Sequence, residues 1–288
     1  MNAASRRVSS RSARGVGRGA GSRLQLAGAT ALVTGATGGL GSAIAAALRD
    51  RGTELIVSGR RAAELDSLAA PLQARPVVAD LTVRSDLERL GALALEAGVD
   101  VLVANAALPA SGLLSDLTAA EIDRMLEVNL RAPIMLAHTL APAMVARGRG
   151  HLVFVSSLSG KAAAPASSIY SATKFGLRGF ALALRQDLAP HGVGVSLVSP
   201  GFIRDAGMFA DTGVKLPPGT GTRTSADVAA AVIRVIEADR AELDVAPASL
   251  RAGAVFASVA PQLAASASRL AGSGRVSAEL AQRQRHKR

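Results

Sequence analysis

The pairing with the clearest chemical potential in this 288-residue chain is Tyr170 with Lys174, in the run YSATK. Tyr170 is the only tyrosine, and lysines number just four. Residues four apart on a helix share a face, so the ammonium lies beside the phenol. A free phenol has a pKa of about 10, too high for efficient proton transfer at neutral pH. An ammonium at about 4 Å, in an effective dielectric of about 20, favours phenolate by about 4 kcal/mol, or about three pK units. Such a phenol serves as an acid toward a carbonyl oxygen and as a base toward an alcohol. A second constellation is TGATGGLG at 34–41, placed between an apolar strand and a helix. Gly35 permits a tight turn there. Gly39 and Gly41 lack the Cβ that would keep a pyrophosphate from the backbone and from the N–H groups of the helix start.

The elements that must hold these residues follow from the apolar pattern. Strands are expected at 29–34, 53–58, 75–79, 99–104, 151–156, 193–198 and near 243–246. Helices are expected at 40–51, 62–70, 85–96, 118–147, 168–188 and 225–238, then one terminal helix over 249–274. Strand and helix alternate every 20 to 25 residues, as parallel strands joined by helical crossovers require. The expected fold is therefore α/β, a single doubly wound parallel sheet with helices on both faces. The segment 202–224, rich in Gly and Pro, reads as a long loop and a candidate lid.

As a set, these features resemble the short-chain dehydrogenase/reductase family, over roughly residues 28–247. The motifs are Thr-Gly-x-x-x-Gly-x-Gly at 34–41, Asn105-Ala106-Ala107 after the fourth strand, Asn129 in EVNL, and Ser157 with Tyr170 and Lys174. The resemblance implies a Rossmann-type domain over 24–248 that transfers a hydride between nicotinamide and a ketone, aldehyde or secondary alcohol. It implies Tyr170 as general acid/base, Ser157 bonding the substrate oxygen, and Lys174 holding the nicotinamide ribose. Asn129 would position a water linking Lys174 to solvent. Gly35, Thr37, Gly39, Leu40, Gly41, Asn105 and Ala106 would line the cofactor. Asp80-Leu81 would meet its adenine, and Pro200, Gly201 and Ile203 its carboxamide end. Two positions depart from the family pattern. Ala107 replaces a glycine, and Arg204-Asp205-Ala206 follows Pro200-Gly201-Phe202-Ile203 where a threonine is usual, the next one being Thr212. A homodimer or homotetramer is also expected from the resemblance.

Cofactor choice is read where the second strand ends. NAD enzymes place an acid there for the ribose 2′-hydroxyl, whereas an arginine accommodates a 2′-phosphate. Ser58-Gly59-Arg60-Arg61 carries no acid before Glu64, and a guanidinium suits a phosphate. NADP(H) is expected over NAD(H). Epimerase and dehydratase relatives share Tyr-x-x-x-Lys but carry Gly-x-x-Gly-x-x-Gly and a longer substrate portion, which this chain does not match. A non-catalytic nucleotide-binding regulator acting through the chain termini is the alternative of another class.

Composition limits the remaining possibilities. Apolar residues make up 49% of the chain and aromatics 2%, so the core is built from small and branched side chains. There is no cysteine, hence no disulfide framework or thiolate chemistry, and the four histidines lack metal-ligand spacing. No metal is expected. The net charge of +11 resides mostly in the termini, +6 over residues 1–23 and +4 over 275–288. Both segments read as solvated basic tails. A nearly neutral folded part gives no reason to expect nucleic acid, while the tails leave open a weak contact with an anionic membrane surface. Ser5-Arg6-Arg7 precedes no apolar stretch and so does not read as an export signal, and the expected location is cytoplasmic. The lid residues Met208, Phe209, Val214 and Leu216 suggest an apolar or mixed substrate.

Overall fold

The computed structural model describes residues 24–109, 112–217, 219–270 and 273–285. Among them seven strands form one sheet: β1 (Thr30–Thr34), β2 (Glu54–Gly59), β3 (Arg75–Val78), β4 (Val101–Ala104), β5 (Gly150–Val155), β6 (Val193–Pro200) and β7 (Glu242–Val245). The order is β3-β2-β1-β4-β5-β6-β7 and every pairing is parallel. The crossovers are α1 (Gly39–Arg49), α2 (Ala62–Leu72), α3 (Arg84–Glu96), the pair α4 (Ala119–Leu126) and α5 (Ala132–Arg147), then α6 (Ser168–Leu188) and α8 (Ser225–Glu237). The short α7 (Gly207–Ala210) lies between β6 and α8. This is the doubly wound α/β fold that the alternation of elements predicts.

Both faces of the sheet are covered, which is why its strands read as nearly continuous apolar runs. On one face Leu32, Leu102 and Phe154 pack against Leu90 of α3, Leu136 and Leu140 of α5, and Leu177 of α6. On the other, Val33, Val57 and Val155 meet Ile44 and Leu48 of α1, Leu65 of α2 and Val232 of α8. Neighbours such as Leu32 and Val33 serve opposite faces, as the period of a strand demands. The chain leaves β1 toward β2 and later returns to β4 on the other side, so the strand order reverses between β1 and β4. A crevice opens beyond the C-terminal ends of the strands at such a point, and ligands bind there in open α/β sheets.

The structure departs from the sequence reading in three places. The helix expected over 118–147 is interrupted by a π-turn at Glu127–Arg131, which joins α4 to α5. The single helix expected over 249–274 is instead α9 (Ala248–Val259) and α10 (Pro261–Leu270), because Pro261 opens a helix more readily than it continues one. The segment assigned to a basic tail at 275–288 contains most of α11 (Ser273–Arg283), with Ala281 and Gln284 buried. The other basic tail, residues 1–23, lies outside the described residues. No helix among the described residues is long and apolar enough to cross a membrane. None of their His, Asp and Glu side chains form a group of three or more that could hold a metal ion.

Candidate active site

A cleft of ≈ 1300 Å³ occupies the crevice at the β1/β4 reversal. Its floor is the glycine loop. Gly35 has φ +65°, and a Cβ there would sit 2.7 Å from Ala106 Cα. At Gly41 a Cβ would meet the Gly35 carbonyl oxygen at 2.2 Å. Helix α1 is preceded by Gly38, which has no side chain to cap it. The N–H groups of its first turn are thus left for an anion. Thr37 and Leu40 also line the cleft. Asn105 braces this loop from behind: its Nδ2 donates to the carbonyls of Thr34 (3.0 Å) and Gly35 (3.1 Å). The N–H groups of Asn105 and Ala106 both donate to Thr34 Oγ1 at 3.2 Å. Asn105 therefore shapes the loop with its carboxamide, and the resemblance alone could not distinguish that role from direct contact with a cofactor.

The end of β2 forms one flank. Ser58 is buried, while Arg60 lines the cleft and makes no salt bridge among the described residues. Arg61 is paired with Glu64 at 2.7 Å. Across from them, Asp80 Oδ1 accepts hydrogen bonds from Thr82 N (2.9 Å) and Thr82 Oγ1 (2.8 Å). Burial acts to raise the Asp80 pKa, but the Thr82 bonds and the charges of Arg60 and Arg124 outweigh it and hold the carboxyl below its usual value. Leu81 lines the cleft beside it. These residues fit a dinucleotide carrying an extra phosphate: free helix-start donors, an unpaired guanidinium, and a carboxylate kept ionised.

Ser157, Tyr170 and Lys174 meet on the opposite wall. Lys174 is fully buried, its Nζ donates to the Val155 carbonyl at 3.0 Å, and it lies 5.7 Å from the centre of the Tyr170 ring. Burial lowers the Lys174 pKa to about 8. Burial also raises the Tyr170 phenol above its ordinary value, with hydrogen bonding to Ser157 acting the other way. The sequence reading had the ammonium pull the phenol down. Desolvation is the largest influence on the phenol, because burial disfavours phenolate and ammonium alike. Ser157 Oγ accepts from Ser159 N at 3.1 Å and caps a 3₁₀ turn, which fixes it at the cleft wall. Ser156 points inward instead, its Oγ donating to the Lys174 carbonyl.

Asn129 lies in the π-turn and is fully buried. Its Oδ1 accepts from Leu108 N at 2.7 Å and its Nδ2 donates to Leu108 O at 2.9 Å. These two bonds tie the side chain to the loop after β4. At the far end, Pro200, Gly201 and Phe202 line the cleft. The Ile203 N–H donates to no group among the described residues, whereas Arg204 N and Arg223 N are paired across the lid's base. Thr212 does not substitute for the missing threonine. It is buried, and its hydroxyl donates to the Phe209 carbonyl. Asp205 takes both its bonds from Ser225, N at 2.8 Å and Oγ at 3.0 Å, and so ties the lid to the start of α8. Both bonds help hold its pKa below the usual value.

Sequence reasoning missed several residues of this cleft. Arg124 enters from α4 with no local motif to mark it. Leu250 of α9 and Val276, Leu280 and Gln284 near the C-terminus also line it. The i, i+4, i+8 spacing of these last three was legible, but the surrounding charge concealed it.

The family model described as short chain dehydrogenase matches residues 29–215. The ketoacyl reductase HetN of Nostoc sp. is 35% identical over 220 residues, covering 74% of this chain and 76% of that protein. The fold is similar to that of a short-chain dehydrogenase from Sphingobium yanoikuyae in complex with NADPH, with TM-score 0.70, 29% identity, and 75% and 87% of the two chains covered. A metagenomic short-chain oxidoreductase in complex with NADP has TM-score 0.67 and 33% identity, with 78% and 99% covered.

Proposed function

Because the chain belongs to the short-chain dehydrogenase family, we propose that it is an NADP(H)-dependent carbonyl reductase with Tyr170 as its general acid. The observation that carries this reading is the convergence of Ser157, Tyr170 and Lys174 on one wall of the cleft. NADP(H) supplies or accepts the hydride; the protein supplies orientation and the proton. The uncapped start of α1 receives the pyrophosphate, Arg60 the 2′-phosphate, and the unpaired Ile203 N–H the carboxamide. Ser157 donates to the substrate oxygen. Tyr170 Oη passes its proton to that oxygen as the carbonyl becomes a hydroxyl. Burial keeps the Tyr170 phenol in its protonated form, the form that donates to a carbonyl oxygen. Lys174 faces the ring and steadies the phenolate that remains. Asn129 fixes the loop through Leu108 and positions the water that returns the proton.

The preference for NADP(H) is further supported by the NADPH and NADP complexes among the similar structures. The apolar lid favours an apolar or mixed substrate. A homodimer or homotetramer, assembled through the faces of α5 and α6, is consistent with the exposed Phe175 on α6. The test is reduced-nicotinamide consumption with a panel of ketones and aldehydes. Turnover at least about tenfold faster with NADPH than with NADH at subsaturating cofactor is expected for a charge-assisted phosphate contact. Equal use of NADH would remove Arg60 from its role, and failure to bind either nucleotide would overturn the whole reading.

A further inference from the structure

The basic C-terminus contributes structure rather than only charge. Arg283 Nη1 donates to the Thr212 carbonyl at 2.9 Å, and Gln284 Nε2 donates to the Met208 carbonyl at 2.9 Å. Both acceptors belong to the lid, one in α7 and one just after it. Gln284 is 7% exposed and Ala281 6%, so this end of the chain is packed down, with Arg283 further held by Glu279 at 2.8 Å. On their inner side Val276, Leu280 and Gln284 face the cleft itself. A helix that turns Val276 and Leu280 toward a pocket and grips its lid has a direct consequence for which molecules enter.

We propose that α11 is the distal wall of the substrate compartment, and that by clasping the lid it sets the length of the carbonyl compound the cleft admits. The proposal rests on the carbonyl-reductase reading above. Leu280 supplies the apolar surface that meets the far end of the substrate, Gln284 closes the gap between that wall and α7, and Arg283 locks the arrangement from outside. The fitting substrate is a carbonyl with an extended apolar chain, because Val276, Leu280 and Leu250 line the cleft with hydrocarbon.

Two measurements test it, and the first needs no turnover. In hydrogen exchange of the full chain, the Arg283→Ala/Gln284→Ala double variant should exchange the amides of residues 207–216 at least about fivefold faster than wild type, because two hydrogen bonds to the lid are gone. Unchanged lid exchange would overturn the clasp. In the second, NADPH-dependent rates are taken on straight-chain 2-ketones from 2-butanone to 2-dodecanone. Leu280→Trp should lower the ratio of kcat/KM on the longest to that on the shortest ketone by at least about tenfold, whereas a change equal at all lengths would remove α11 from specificity. A wild type that reduces none of the ketones would sink the carbonyl-reductase reading and the length rule built on it, while the exchange result would still decide the clasp.

Discussion

Removing the buried ammonium of Lys174 should abolish activity and yet stabilise the ligand-free protein. In Lys174→Met the side chain keeps its length and loses its charge. The folded pKa is about 8 against 10.5 for a free lysine, and that gap corresponds to about 3 kcal/mol against the folded state wherever both states are protonated. The substitution also orphans the Val155 carbonyl, which now accepts from Nζ at 3.0 Å, and this costs about 1–3 kcal/mol. A net gain of up to about 2 kcal/mol at pH 7 remains. The pH dependence carries the sign. Between pH 8 and 10.5 the unfolded lysine holds more protons than the folded one, so wild-type stability rises with pH across that window. The methionine variant lacks this contribution, so its advantage falls as pH rises and reverses near the top of the window, where only the cost of the orphaned Val155 carbonyl remains. Urea melts followed by circular dichroism at pH 7 and pH 10 read the difference directly, since the other titrating groups are common to both proteins. A methionine variant less stable than wild type at pH 7, or a difference indifferent to pH, would refute the reasoning.

Other expectations follow from the same geometry. His151 is buried, and its Nε2–H donates to Ser196 Oγ at 2.7 Å, because that hydroxyl already donates to the Arg240 carbonyl. Burial lowers its pKa to about 4, so stability is lost as pH falls from 6.5 toward 4, by up to about 3 kcal/mol. His151→Gln should flatten that acid limb in thermal melts. Arg60→Ala should weaken NADPH binding by about 1.5–2 kcal/mol, or about 10- to 30-fold, and leave NADH untouched in a fluorescence titration. Gly41→Ala places a methyl against the Gly35 carbonyl and Ala36 Cα, so it should cost about 1–3 kcal/mol in denaturant melts and weaken nucleotide binding at least about tenfold. Asn129→Leu leaves both backbone groups of Leu108 unpaired in a buried place, and a loss of about 2–4 kcal/mol is expected in the same melts.

What could be read from sequence was local. Helix α6 matches its expected span, Ser168–Leu188, because an unbroken 3.6-residue apolar pattern lies between two glycine-containing stretches. Ser157, Tyr170 and Lys174 were legible because their types are scarce and their spacing fits one strand end and one helix face. The remainder depended on what distant segments do to each other. The role of Asn129 is set by Leu108, twenty-one residues away, and by a π-turn with no periodic signature of its own. The Tyr170 pKa direction was misjudged because pairwise Coulomb reasoning included the ammonium and left out the burial that the surrounding fold imposes. At the C-terminus, composition was weighed above periodicity, and the charges that suggested a solvated tail proved to include Arg283, which grips the lid.

The central claim is that Tyr170 delivers the proton within an otherwise complete NADPH site. The most direct measurement compares wild type with Tyr170→Phe, for NADPH affinity and for ketone reduction on the same preparations. The account predicts NADPH binding within about twofold of wild type and a loss of kcat of at least about 10²-fold, the scale of general-acid catalysis. A phenylalanine variant that keeps its kcat would contradict the account.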